Sequence, residues 1–245
     1  MGGTVLPSFI ATPSEVSDTE VTLRGEEAHH ISVRRYGIGD CIDVIDGEGG
    51  FYRVRIDNIE QTLVHGLIMD KTIDRGESPM RLHLAAAVVK GHQRFDYVVE
   101  KTTEVGVASI QPMWTQRTIP TKNQRIERWQ RLAVEAAKQC GRSRVPQVFE
   151  TVSLEEAIGS LLQKCEVVVM ASSHRQAINV SPLSTNLEGN VGLLIGPEGG
   201  FSESEEEEAL ALGVQFFKWG QRTLRSDTAS VILSALILDR VKINV

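Results

Sequence analysis

Apolar and polar positions alternate with a period of two through the first part of the chain, the spacing that a half-buried strand requires. In FYRVRID, Phe51, Arg53 and Arg55 take one set of positions and Tyr52, Val54 and Ile56 the other. VTLRG, DCIDVID and VHGLIMD read as further short strands, and Gly47-Glu48-Gly49-Gly50 as a hairpin turn. That glycine run has neither the spacing nor the following helix of a dinucleotide fingerprint, so no phosphate site is assigned to it. Residues 1–75 are expected to form a small β domain, closed by the polar stretch DRGESP and its Pro79.

After that stretch the pattern changes. LHLAAAVV (82–89), VASIQPM (107–113), CEVVVMA (165–171), VGLLI (191–195) and VQFFK (214–218) are continuous apolar runs of the kind found in strands covered on both faces, hence in a largely parallel sheet. Helical periods lie between them. The clearest predicts a helix from Asn123 to Cys140, with Ile126, Trp129, Ala133, Ala136, Ala137 and Cys140 in one apolar stripe. Strand and helix alternation makes 76–245 an α/β domain. No apolar stretch nears the roughly 20 residues that span a bilayer. The N-terminus has no basic region followed by an apolar one, so a cytoplasmic protein is expected. Cys41, Cys140 and Cys165 are scattered without CxxC spacing, which argues against a disulfide framework or a zinc site.

The charge distribution alters this picture. A net charge of -6 disfavours a phosphate-rich partner on average, yet the average hides an asymmetry. Residues 1–75 carry 7 basic and 13 acidic side chains, 76–150 carry 12 and 7, and 151–245 carry 7 and 12. Within the middle segment, Arg117, Lys122, Arg125, Arg128, Arg131, Lys138, Arg142 and Arg144 face only Glu127 and Glu135. Such an island suits a polyanion, the alternative being a solvated helix face.

Candidate chemistry concentrates near the C-terminus. In LLIGPEGGFSESEEEE a strand ends at Ile195, Gly196-Pro197-Glu198-Gly199-Gly200 follows, and Ser202 with Glu205 makes a capping box that opens a helix. The glycines let backbone groups approach a ligand closely. No P-loop lysine is present, and Glu198 with the following glutamate run repels a triphosphate, so a ligand with a positive centre fits better. In GQRTLRSDTASVILSALI, Gly220 precedes a polar loop bearing Arg222, Arg225 and Asp227, and a helix begins with Ser226 or Asp227 as its N-cap. Arginines and acids there are either used or paired, as Arg225–Asp227 or Arg222–Glu198. KGHQRFDYVVEKTTEVG (90–106), QRT (116–118) and QCGRSRVP (139–146) add polar residues at element ends. His29, His30, His65, His83, His92 and His174 show no metal-like spacing beyond one adjacent pair, and no nucleophile elbow or HExxH occurs.

Taken in order, HHISVRRYGIGD (29–40), ESP (77–79), KGHQRFDYVVEKTTEVGV, QCGRSRVP, IGPEGGFS and GQRTLRSDTA resemble the bacterial ribosomal RNA uridine-N3 methyltransferases of the RsmE type, in the SPOUT superfamily. The resemblance implies a PUA-like β-barrel that helps hold RNA over 1–75 and a SPOUT methyltransferase domain with a C-terminal trefoil knot over 76–245. It implies S-adenosylmethionine bound by Ala171, Ser172, Ile195, Gly196, Pro197, Glu198, Gly199, Gly220, Thr223, Leu224, Arg225 and Thr228. It also implies ribosomal RNA of the small subunit as substrate and a homodimer. No metal is expected from the Cys and His spacing, and RNA contacts are expected from Arg35 and, within the basic island, from Arg117, Arg125, Arg128, Arg131 and Arg142. The chain departs from the family pattern at Val105, Trp219, Gln221, Asp227 and Ser8.

Methylation at N3 requires a near-attack arrangement and loss of a weakly acidic proton. Glu198 and Asp227 are the candidate bases; Arg222 and Arg225 are the candidates to stabilise the developing anion. A non-catalytic RNA-binding or ribosome-assembly factor of the same fold, or a methyltransferase for transfer RNA, is the alternative.

Overall fold

The computed structural model describes residues 7–88, 92–118, 125–172, 177–179 and 189–239. Two compact units emerge: one from the residues up to 77 together with 134–145, the other from 78–133 and 146 onward.

The first unit contains β1 (Phe9–Ile10), β2 (Glu20–Arg24), α1 (Gly25–Val33), β3 (Cys41–Ile45), β4 (Gly50–Ile59) and β5 (Leu63–Ile73). Its five strands pair in the order β1-β3-β4-β5-β2. Val54 and Ile56 are buried while Arg53 and Arg55 point to solvent, as the alternation predicts. Phe51 departs from it. Its ring is buried against Ile45 and Ala137, because residues 134–145 cover that end of the sheet. The glycine turn joins β3 to β4 as expected, with the Asp46 carboxylate accepting from the amides of Glu48 and Gly50, each at 2.8 Å. The helix α1 has no counterpart in the strand pattern. It buries Ala28 and Ile31, leaving His29 exposed and His30 half-buried on one helix.

The second unit contains β6 (Arg81–Ala87), α2 (His92–Val105), β7 (Ser109–Trp114), α3 (Ile126–Cys140, whose last turns count with the first unit), β8 (Gln147–Val148), β9 (Val152–Ser153) and α4 (Leu154–Lys164). It continues with β10 (Val167–Ala171), β11 (Ile178–Asn179), β12 (Asn190–Ile195), α5 (Glu203–Ala211), β13 (Gln215–Lys218) and α6 (Ser226–Leu238). The strand order is β11-β13-β10-β12-β6-β7-β8, with β9 beside β7 and each of these pairs parallel. Both faces are covered, which is why these strands read as continuous apolar runs. Ala85, Met113, Met170, Leu194 and Phe216 pack with Leu154, Ile158 and Leu161 of α4, and α6 packs on β6, β12 and α2.

Most of the predicted α3 stripe is buried: Trp129, Ala133, Ala136 and Ala137. Cys140 is exposed, because the helix ends there and the chain turns away at Gly141 (φ 77°). The expected helix start at Asn123, the strand end at Val89, Lys122 and His174 lie outside the described residues. His83 is buried between strands, its Nε2 hydrogen-bonded with Asn190 Oδ1 at 3.0 Å and its Nδ1 with the Ser109 hydroxyl at 2.8 Å. Desolvation holds its pKa below the usual histidine value, so it is a core residue rather than a ligand. Among the described residues, no helix is long and apolar enough to cross a membrane, and no group of three or more His, Cys, Asp or Glu is placed to hold a metal.

Candidate active site

In an open parallel sheet, ligands settle outside the carboxyl ends of the strands, where loops of opposite direction part. Here β10 lies between β12 and β13, and Ala171 pairs in register with both Ile195 and Phe217. The chain therefore leaves three adjacent strands at one edge, and Ala171-Ser172, the loop 196–202 and the loop 219–225 gather there.

Their backbone is fixed by hydrogen bonds that cross between loops. Ser226 Oγ donates to the Gly196 carbonyl at 2.7 Å, tying the start of α6 to the glycine loop. The expectation that Ser226 or Asp227 caps α6 is corrected by this bond. The helix already begins at Ser226, Arg225 occupies the N-cap position without a side-chain cap, and the Ser226 hydroxyl is spent on the neighbouring loop. Ser172 donates its amide to Phe217 at 3.0 Å and its hydroxyl to Glu206 of α5. The capping box predicted for α5 is present, Ser202 Oγ accepting from the Glu205 amide and Glu205 accepting from the Ser202 amide. Glu205 also accepts from the Gln116 amide at 2.7 Å, and Arg117 donates to the Gly199 carbonyl. Gly196 meets the buried ring of Phe201: an added Cβ would stand 3.0 Å from it.

The charged groups arrange themselves differently from the pairs inferred from sequence. Glu198 is ion-paired with Arg94 of α2, not with Arg222. Arg222 instead lies over the Trp219 ring, 5.8 Å from its centroid. Asp227 accepts from the Thr228 amide at 2.7 Å and its hydroxyl at 3.3 Å, not from Arg225. Among the described residues neither Arg222 nor Arg225 has a carboxylate partner, and both are exposed. Pro197 is buried, Glu198, Gly199, Gly220, Thr223 and Thr228 are exposed, and Leu224 is half-buried. Arg94, Phe201 and Glu206 belong to this site although sequence reasoning did not assign them. Arg94 stood within KGHQRFDYVV, but nothing in its spacing pointed to Glu198.

Half of the basic island is neutralised: Arg128, Lys138, Arg142 and Arg144 have carboxylate partners. Arg142, only 4% exposed, makes two hydrogen bonds to the Glu77 carboxylate at 3.0 and 2.7 Å, a buried ion pair within the first unit. Arg144 pairs with Asp74, and Lys138 with Glu27 and Glu135. Arg128 is held by Asp96 through two bonds, which raise its pKa further. Arg117 serves the glycine loop. Arg125 and Arg131 have no carboxylate partner among the described residues, and Arg35 is exposed in the left-handed region at φ 60°. Ser8, where the family pattern has an arginine, is buried and donates its amide to the Lys138 carbonyl.

Comparison with known proteins agrees with this architecture. Residues 76–238 match the family model described as RNA methyltransferase domain, and 23–65 that of the RNA methyltransferase PUA domain. The ribosomal RNA small subunit methyltransferase E of Bacillus subtilis is 30% identical over 232 residues, covering 88% of each chain. That of Synechocystis sp. is 29% identical over 94% of this chain and 76% of its own. The crystal structure of the Neisseria gonorrhoeae protein of the same name, bound to S-adenosyl methionine, superposes with a TM-score of 0.85 at 28% identity, covering 96% of this chain and 97% of that one. With an α/β domain of the SPOUT type preceded by a PUA-like unit, the chain belongs to the RNA methyltransferase family that includes the ribosomal RNA small subunit methyltransferases E.

Proposed function

We propose that the protein is an S-adenosylmethionine-dependent methyltransferase acting on N3 of a uridine in small-subunit (16S) ribosomal RNA, in the cytoplasm and as a homodimer. The observation that carries this reading is the junction at the strand ends, where Ser226 fastens the glycine loop to the start of α6. The residues fit the cofactor. The cradle is built of main-chain groups and glycine, with the Asp227 carboxylate beside it to favour a cation and, among the described residues, no lysine of the kind that meets phosphates. When bound, S-adenosylmethionine supplies an electrophilic methyl group on a sulfonium centre. Ala171, Ser172, residues 195–199, Gly220, Thr223, Leu224, Arg225 and Thr228 would hold it.

The protein's own task is to bring an unstacked uridine to that point and to manage the N3 proton. Glu198 and Asp227 are the groups offered to take the proton, and Arg222 and Arg225, free of carboxylates among the described residues, are offered to the anion that forms. For the homodimer, the support is α6, where Val231, Ile232, Ala235 and Leu236 stay half-buried in the single chain, with Tyr97 of the adjoining α2 46% exposed. Mapping modified nucleotides in RNA from cells with and without the protein tests the reading. One N3-methyluridine should vanish from 16S RNA. A change confined to transfer RNA, or no change, would overturn it.

RNA contact is offered by Arg35, Arg125 and Arg131. Changing Arg125 and Arg131 together to glutamine should lower the salt dependence of RNA binding by up to roughly 0.7–0.9 slope units per lost phosphate contact. Cofactor affinity should be unaltered. Adding Arg128→Gln should instead cost stability, since it strips Asp96 of a partner. An unchanged slope in the double variant would show Arg125 and Arg131 to be merely solvated.

A further inference from the structure

A cleft of about 320 Å³ opens between the end of β7, the start of α4 and α5, among residues none of which the methyl-transfer reading uses for cofactor or RNA. Its floor is apolar: Leu154 and Ile158 are buried, and Leu212 is left 52% exposed at its edge. Trp114 adds an aromatic wall. The rim is acidic. Glu155 and Glu208 line it, both exposed, and neither carboxylate has a partner among the described residues. Glu205 is already engaged by the Ser202 and Gln116 amides, so the charge on offer to a ligand comes from the other two.

The wall also holds an unmet hydrogen-bonding group. Thr115 lines the cleft and is 8% exposed. Its backbone amide and carbonyl are both satisfied by the Thr118 hydroxyl, while its own Oγ1 has no hydrogen-bond partner among the described residues. The surroundings fix the sign of a ligand here. The segments 153–158 and 203–212 contain seven glutamates and no lysine or arginine, so a nucleic-acid phosphate is repelled from this face.

We propose that this cleft is a docking site for a lysine- and arginine-rich polypeptide segment, which lays the aliphatic stem of one cationic side chain on Leu154, Ile158 and Leu212 and sets its charged head between Glu155 and Glu208. Long cationic side chains are suited to such a site because their stems are apolar and their heads remain solvated. The proposal goes beyond the methyl-transfer reading and does not depend on it.

Fluorescence anisotropy with a labelled decalysine peptide at about 0.15 M salt, where exposed charges farther apart than roughly 8 Å are largely screened, reads the interaction without cofactor or RNA. The wild-type chain should bind the peptide. Glu155→Gln with Glu208→Gln should weaken binding by about tenfold or more, and Leu212→Ser, which alters no charge, by at least about threefold. Glu20→Gln with Glu26→Gln, two exposed carboxylates of the first unit, should leave affinity within about twofold. An equal loss in that control pair, or full affinity in Leu212→Ser, would reduce the effect to diffuse electrostatics and overturn the proposal. Absence of peptide binding would overturn it outright. Binding of cadaverine as tight as that of the peptide would replace it with a small-amine site. All three variants carry exposed substitutions, and unaltered far-ultraviolet dichroism verifies that each is folded.

Discussion

Replacing Glu77 by leucine is expected to destabilise the protein by about 3–5 kcal/mol, the cost of stripping a buried cation of its counter-charge. Side-chain exposure is 4% for Arg142 and 10% for Glu77, and the carboxylate accepts from the guanidinium at two positions and from the Arg144 amide at 3.1 Å. Removing it takes from the enclosed Arg142 the carboxylate that accepts two of its hydrogen bonds, and leaves the Arg144 amide without that acceptor as well. Arg142→Leu alone should be damaging for the mirror-image reason. The double variant should recover part of the loss, since it no longer buries a guanidinium without the Glu77 carboxylate. Arg144→Ala removes a more exposed pair with Asp74, side chains 31% and 48% exposed, and should cost no more than about 1 kcal/mol. Urea unfolding measures all four. Losses below about 1 kcal/mol in both single variants at the Arg142–Glu77 pair would show that water reaches and screens it.

That pair also explains where the sequence was misleading. Arg142 and Glu77 are 65 residues apart, Lys138 and Glu27 are 111 apart, and Arg128 and Asp96 are 32 apart. A charge count along a window sees the cations of 117–144 and not the acids that the fold brings to them, so a local excess of basic residues became a set of internal ion pairs. The strands of the second unit were legible because burial on both faces writes itself as unbroken apolar runs. The capping box at Ser202 and Glu205 was legible because both partners sit three residues apart on one chain segment. The helix α1 was not, since Gly-Glu-Glu-Ala-His-His-Ile offers only Ala28 and Ile31 to the core, too few positions to show a helical period. At the site, the glycine loop and the Arg225–Thr228 stretch stood out as motifs. Phe201, Arg94 and Glu206 did not, because an aromatic ring under a glycine and two partners from other elements are tertiary facts.

Gly196→Val is expected to abolish measurable binding of S-adenosylmethionine while leaving the chain folded. Gly196 lies outside the left-handed region, so the substitution is opposed by space and not by its backbone angle. An added Cβ would meet three atoms of the Phe201 ring at 3.0, 3.1 and 3.2 Å, and that ring is 6% exposed within the core cluster that includes Met113, Met170 and Leu194. Valine brings two further methyl carbons to the same place. Overpacking of this kind costs roughly 1–3 kcal/mol, and the loop, not the close-packed core, is the part able to move. A displaced loop carries the Gly196 carbonyl away from the Ser226 hydroxyl, so the junction between the two cofactor loops opens as well. If the strain falls on the bound state, 1.4 kcal/mol is a tenfold loss of affinity, and about 3 kcal/mol is over a hundredfold. Gly199→Ala makes a contrast: its Cβ would meet only the flexible Arg117 side chain, 3.3 Å from Cδ, and should change affinity by a few-fold at most. Trimming the obstacle should rescue the defect, with Phe201→Leu restoring part of the binding lost in Gly196→Ala. Isothermal titration calorimetry on the four variants decides the matter. Native affinity in Gly196→Val would remove the glycine loop from the cofactor site, and failure of Phe201→Leu to rescue would show that the loss comes from blocked approach of the ligand to the backbone, not from the ring beneath it.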